Sequence, residues 1–80
     1  MNPDYPEQAK QHNQQGSVVV AVTIGPSGTP LRSWVFLSSK SQLLDKAALE
    51  AARKSLYTEP QVNGSPVVET VLVDYGFELE

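Results

Sequence analysis

SVVVAVTI, residues 17–24, reads as a strand that is apolar on both of its faces. Alternation puts Val18, Val20, Val22 and Ile24 on one side and Val19, Ala21 and Thr23 on the other. Two apolar faces suit a strand that lies between neighbours, so this segment is expected at the centre of a sheet. The elements on either side of it in the chain then decide the topology.

Downstream, Gly25, Pro26, Ser27 and Gly28 supply the fixed and positive φ values of a tight connection. LRSWVFLSS, residues 31–39, follows as a second strand, and the pair is predicted to form a β-hairpin. Pro30 has no N–H to give a ladder, so that strand belongs on an edge. In SQLLDKAALEAARKSL, residues 41–56, the period changes to 3.6, and Leu44, Ala47, Ala48, Ala51 and Ser55 form one stripe of a helix. Ser41 is the expected N-cap, with Asp45 near the first turn and Arg53 and Lys54 near the last complementing the helix dipole. A stripe made almost wholly of alanine lets the helix axis sit close over a sheet.

EPQVNGSP, residues 59–66, is a loop of turn formers, and VVETVLVDYGFELE, residues 67–80, is a long terminal strand. Its Val67, Val71, Val73, Tyr75, Phe77 and Leu79 share one face with the single charge Glu69, and Gly76 is able to bend or bulge its far end. The opposite face, with Val68, Thr70, Leu72, Asp74 and Glu78, is half polar. Upstream of the first strand, a short polar helix is expected over Tyr5–Asn13. Asp4 and Glu7 have capping-box spacing, Pro6 falls in the first turn, Gly16 serves as the C′ residue, and Tyr5 and Ala9 are the buried points.

The element order α-β-β-α-β gives an α+β domain over residues 1–80. The third strand lies beside the first in an antiparallel three-stranded sheet of order 2-1-3, with both helices on one face. The other face is left open, with Trp34 and Phe36 on it if the second strand keeps the phase that buries Val35. That aromatic pair is a candidate partner or dimer surface. A one-residue phase error or a bulge would instead put Trp34 in the core.

Composition narrows the function. Eighty residues allow one thin core, and the absence of cysteine removes disulfides and thiolate metal sites. Six Lys and Arg against nine Asp and Glu leave a net charge of −3, which argues against nucleic acid as a partner. No apolar run approaches the roughly 20 residues that cross a bilayer. His12 stands alone on a polar helix, and Ser38 and Ser39 have no base or oxyanion pattern nearby and read as the strand-to-helix turn. Gly25 to Gly28 precede no helix and so form no phosphate loop. Glu69, Asp74, Glu78 and Glu80 are strung along a strand, an arrangement that guards an edge better than it gathers around a cation. Catalytic residues, a metal site and a cofactor are therefore not expected. By elimination the function is binding, at an exposed strand edge or the open sheet face.

Taken in order, these pieces resemble the C-terminal domain of the TonB energy-transducer family. The matching segments are NPDYPEQA (2–9), QGSVVVAVTIGPSG (15–28), WVFLSS (34–39), LLDKAALEAARKS (43–55) and NGSPVVETVLVDYGFELE (63–80). The family's aromatic-x-Pro after the helix appears as Tyr57, Thr58, Glu59, Pro60, with the proline one place late.

The resemblance implies a periplasmic adaptor, anchored in the inner membrane through an N-terminal segment and a proline-rich spacer. It also implies two partners, a proton-driven inner-membrane motor and a TonB-dependent outer-membrane transporter, with siderophore or iron uptake as the associated transport. The transporter's TonB-box segment would add as a strand to the last strand of the domain, at Val67, Val68, Glu69, Thr70, Val71, Leu72 and Val73. The YP motif falls on Tyr5 and Pro6, and the receptor-contacting segment before it on Asn2, Pro3 and Asp4. The rival is a structural module that homodimerises by strand exchange or through the open face.

Overall fold

The structure, a computed structural model, describes residues 4–79. Seven elements follow one another: α1 (Glu7–Gln11), β1 (Gly16–Ile24), β2 (Pro30–Leu37), α2 (Gln42–Lys54), β3 (Gln61–Val62), β4 (Ser65–Pro66) and β5 (Glu69–Phe77). The main sheet has the order β2-β1-β5 and is antiparallel throughout, which is the expected 2-1-3 arrangement. Val18, Val20 and Val22 have no exposed surface and Ile24 only 4%. At about 1.5–3 kcal/mol for each fully buried side chain, this row is a large share of what holds so small a core together. Leu44, Ala48, Ala51 and Ala52 of α2, Ala9 of α1, and Tyr75 and Phe77 of β5 close over it, so both helices cover the same face. Ala52 joins the buried stripe, while Ala47 is only half-buried.

Helix α1 is shorter than Tyr5–Asn13, and the capping box does not form: Pro6 is the N-cap, with no side-chain hydrogen bond. A residue before proline is disfavoured in the helical region, which keeps Tyr5 out of the helix. At the other end Asn13, not Gly16, takes the left-handed position, with φ 54°. Its N–H donates to the Lys10 carbonyl (3.1 Å) and that of Gln14 to the Ala9 carbonyl (2.8 Å), the bond pattern of a Schellman motif. Five residues cannot sustain a helix alone. Tyr5 anchors it, with its ring edge-on to Phe77 at 5.3 Å and its hydroxyl donating to the Gln14 carbonyl.

Between β2 and α2 the Asp45 carboxylate gathers the turn. Ser39 donates to it through its N–H (2.9 Å) and its Oγ (2.7 Å), and Ser38 Oγ donates to the other oxygen. Partial burial pushes the Asp45 carboxyl up, but these three bonds outweigh it and hold the group below its ordinary value. Ser41 is the N-cap, accepting from the Leu44 N–H. The loop at residues 59–66 is itself a small hairpin of β3 and β4, turning on Asn63 (φ 52°) and Gly64 (φ 81°) as a primed turn requires.

The β1–β2 turn is fastened to the segment that follows α2. Gly28 has φ 84°, its carbonyl accepts the Tyr57 N–H at 3.1 Å, and a Cβ there would stand 2.3 Å from the Tyr57 carbonyl oxygen. Gly28→Ala therefore meets both a left-handed backbone and another main chain, and should cost about 2–4 kcal/mol in urea denaturation.

Tyr57 itself donates its hydroxyl to the Ala52 carbonyl at 2.9 Å. Burial pushes its pKa up to about 12, Tyr75 adds to the shift, and a hydrogen bond with Ser55 opposes it. A folded-state pKa above the ordinary 10.0 favours folding while the phenol is neutral. That contribution is complete below pH 10.0 and is lost as pH rises toward about 12. Alkaline unfolding of Tyr57→Phe should lack this part of the slope, measured by denaturation at stepped pH.

Candidate partner-binding surface

With the helices on one side, the sheet presents two outer edges and one open face. The edges differ. Along β2 the register with β1 slips between Val19 and Val20 and again between Thr23 and Ile24, and Pro30 has no N–H to offer. Bulges and proline are devices that blunt an edge against pairing. Along β5, by contrast, nine residues from Glu69 to Phe77 pair with β1 in unbroken register. Gly76, opposite Ser17, introduces no bulge into this strand. Successive residues of such a strand turn their N–H and C=O inward and outward alternately, so every second residue of β5 offers an unpaired donor and acceptor at the outer edge.

Helix α2 lies mainly over β1 and β2 and reaches β5 less. Val71 and Val73 are consequently half-buried, whereas Val20 and Val22 beside them are sealed. A segment added outside β5 would find an apolar shoulder on the helix side. On the other side it would meet Leu72, which is 57% exposed.

The open face is a small lattice. Trp34, Ala21 and Leu72 form its middle row, Arg32, Thr23 and Thr70 one outer row, and Leu37, Val19 and Asp74 the other. Trp34 keeps the open-face position, paired with Ala21, so it does not enter the core. Phe36 departs from expectation. The slip in register leaves it as the extra residue of a bulge, 55% exposed, and gives its place in the row to Leu37. Ala21 is covered by its neighbours to 1% exposure, the Thr23 and Thr70 hydroxyls meet at 3.0 Å, and the Arg32 guanidinium lies 4.7 Å from the Trp34 ring centre. Arg32 was legible from its i, i+2 spacing to Trp34. Leu37 had no signal, because a bulge leaves none in the alternation.

The expected contact residues fall unevenly on this frame. Glu69, Thr70, Val71, Leu72 and Val73 lie in β5. Val67 and Val68 precede the strand, and the Val67 N–H is engaged by the Pro60 carbonyl at 2.9 Å, which removes it from the free edge. Asn2 and Pro3 lie outside the described residues. Tyr5 and Pro6 are half-buried and spent on closing α1, but the Tyr5–Phe77 contact sets them beside the far end of β5. An open depression of about 350 Å³ at that end, between Gln15–Ser17 and Gly76–Glu78, is shallow and holds one charged side chain, Glu78. Among the described residues no group of three or more His, Cys, Asp or Glu could hold a metal ion, and no helix is long and apolar enough to cross a membrane.

Comparison with known proteins agrees with this geometry. Protein TonB of Xanthomonas campestris pv. campestris is 35% identical over 77 residues, covering 96% of this chain and 34% of the relative. Protein TonB of Haemophilus ducreyi is 34% identical over 77 residues, and that of Vibrio cholerae serotype O1 is 26% identical over all 80. The chain spans between 27 and 34% of the length of these relatives. No solved structure matches significantly. Residues 1–79 match the family described as Gram-negative bacterial TonB protein C-terminal, and with the order β2-β1-β5 the chain belongs to that family.

Proposed function

We propose that this domain is the periplasmic, receptor-engaging part of an energy transducer, and that it holds an extended TonB-box segment of an outer-membrane transporter as a fourth strand along β5. The observation that carries this is the contrast between the edges: β2 is interrupted at both ends, and β5 runs nine residues without a break. Main-chain hydrogen bonds along β5 supply affinity for almost any extended segment, while Val71 and Val73 on one side and Leu72 on the other give selectivity. A pull directed along the strands loads those bonds together rather than one after another. The contact thus suits the transmission of force, and no catalysis is needed. In the full-length protein an upstream anchor in the inner membrane would couple the domain to a proton-driven motor, and siderophore or iron uptake is the matching transport.

A synthetic TonB-box peptide from a transporter of the same organism should shift the amide NMR signals of Glu69 to Val73. Shifts confined to α1 and α2 would sink the proposal. Proline placed singly at Thr70, Val71 and Leu72 sharpens the test. Where the replaced N–H points outward the fold should persist and peptide affinity fall about tenfold or more, and at alternate positions the sheet itself should be lost.

A further inference from the structure

We infer that the open face of the sheet is a self-complementary docking surface for a second copy of this chain, with the two sheets packed face to face and their strands crossing at about 70°. The charges decide this. Arg32 on β2 and Asp74 on β5 occupy opposite corners of the open-face lattice, in the rows of Thr23 and Val19 respectively.

Two copies stacked face to face are related by a two-fold axis lying in the plane between them. If that axis runs along the strands, Arg32 lies over Thr70 of the partner subunit. If it runs along the rows, Arg32 lies over Leu37 of the partner subunit. An axis along the Arg32–Asp74 diagonal sets each charge over its own copy, like against like. Only an axis across that diagonal pairs Arg32 with Asp74 of the partner subunit twice over. It also seats Trp34 on Val19 of the partner subunit and Leu72 on Thr23 of the partner subunit. The strands then cross steeply, which is one of the two ways in which sheets pack.

The size of the face sets the strength. Three strands about 4.8 Å apart and three rows about 6.8 Å apart, with their side chains, cover about 300–400 Å² per copy, well short of the roughly 800 Å² per partner of a stable complex. Association is therefore weak and reversible. It leaves the outer main-chain edge of β5 free, so it is compatible with strand addition there, and Leu72 is the one side chain that both surfaces use.

Charge exchange tests the arrangement. In sedimentation and amide NMR up to millimolar concentration, the chain should self-associate, with shifts on Ala21, Thr23, Trp34 and Leu72. Arg32→Glu and Asp74→Arg should each weaken association by about tenfold, and the double exchange should restore it. An equimolar mixture of the two single variants should associate more strongly than either alone, because Glu and Arg then meet across the axis. All three variants alter exposed positions, and an unchanged amide spectrum at low concentration confirms that they fold. A chain that stays monomeric at millimolar concentration would overturn the inference. So would variants that leave association unchanged, a double exchange that fails to recover it, or shifts confined to the β5 edge. Titration of Arg32→Glu with the TonB-box peptide should match the parent chain, which separates failure of this surface from failure of the edge.

Discussion

Strand β1 must be satisfied on four sides at once. Its backbone is paired on both edges, by β2 and β5, and its even-numbered side chains are sealed under the helices while Ala21 on the other face is covered by its own row. With two antiparallel neighbours beside the most apolar strand and one layer of helix over it, no element among the described residues covers the outer edges or the second face. The candidate binding surfaces are what remains when the requirements of β1 have been met.

The helix side shows how a thin core is made sufficient. Ala48, Ala51 and Ala52 bring the axis of α2 close to the valines of β1, so little volume has to be filled. Close approach of this kind needs the helix ends to be positioned rather than merely attracted. Asp45 with Ser38 and Ser39 does this at the start, and the Gly28–Tyr57 contact does it just past the end. A fold of this size has no room for a deep cavity, and recognition through main-chain groups at a strand edge does not require one.

Much of this was legible in the residues themselves. Regular alternation in β1 and β5 and the period change at α2 gave the topology, because burial on one face permits only one phase. The exceptions are local and have causes. Phe36 and Leu31 escape alternation because bulges are set by how two strands twist together, which neither strand encodes alone. Asn13 displaced Gly16 at the end of α1 because asparagine also tolerates the left-handed region and lay nearer the last turn. Asn63-Gly64 is a hairpin signal that was present in the sequence and was absorbed into a longer run of turn formers. Within the candidate site, the strand core from Glu69 to Val73 was readable. The loss of Val67 to Pro60 was not, because it depends on how the hairpin returns to the sheet.

Strand β5 joins β1 from across more than half the chain, as the pairs Ile24–Glu69 and Gly16–Phe77 show, whereas β1, β2 and α2 follow one another closely. Closing so long a loop is the slow, entropically costly step of assembling such a sheet. The hairpin and α2 are therefore expected to come together first and to wait with an unfilled slot beside β1. Until β5 fills it, one edge of β1 is unpaired, and an unpaired edge is a template for pairing with an extended chain. The regular ladder of β5 thus bears on assembly as well as on recognition: nine pairs in one register are what the domain's own strand sets against any foreign one at that slot.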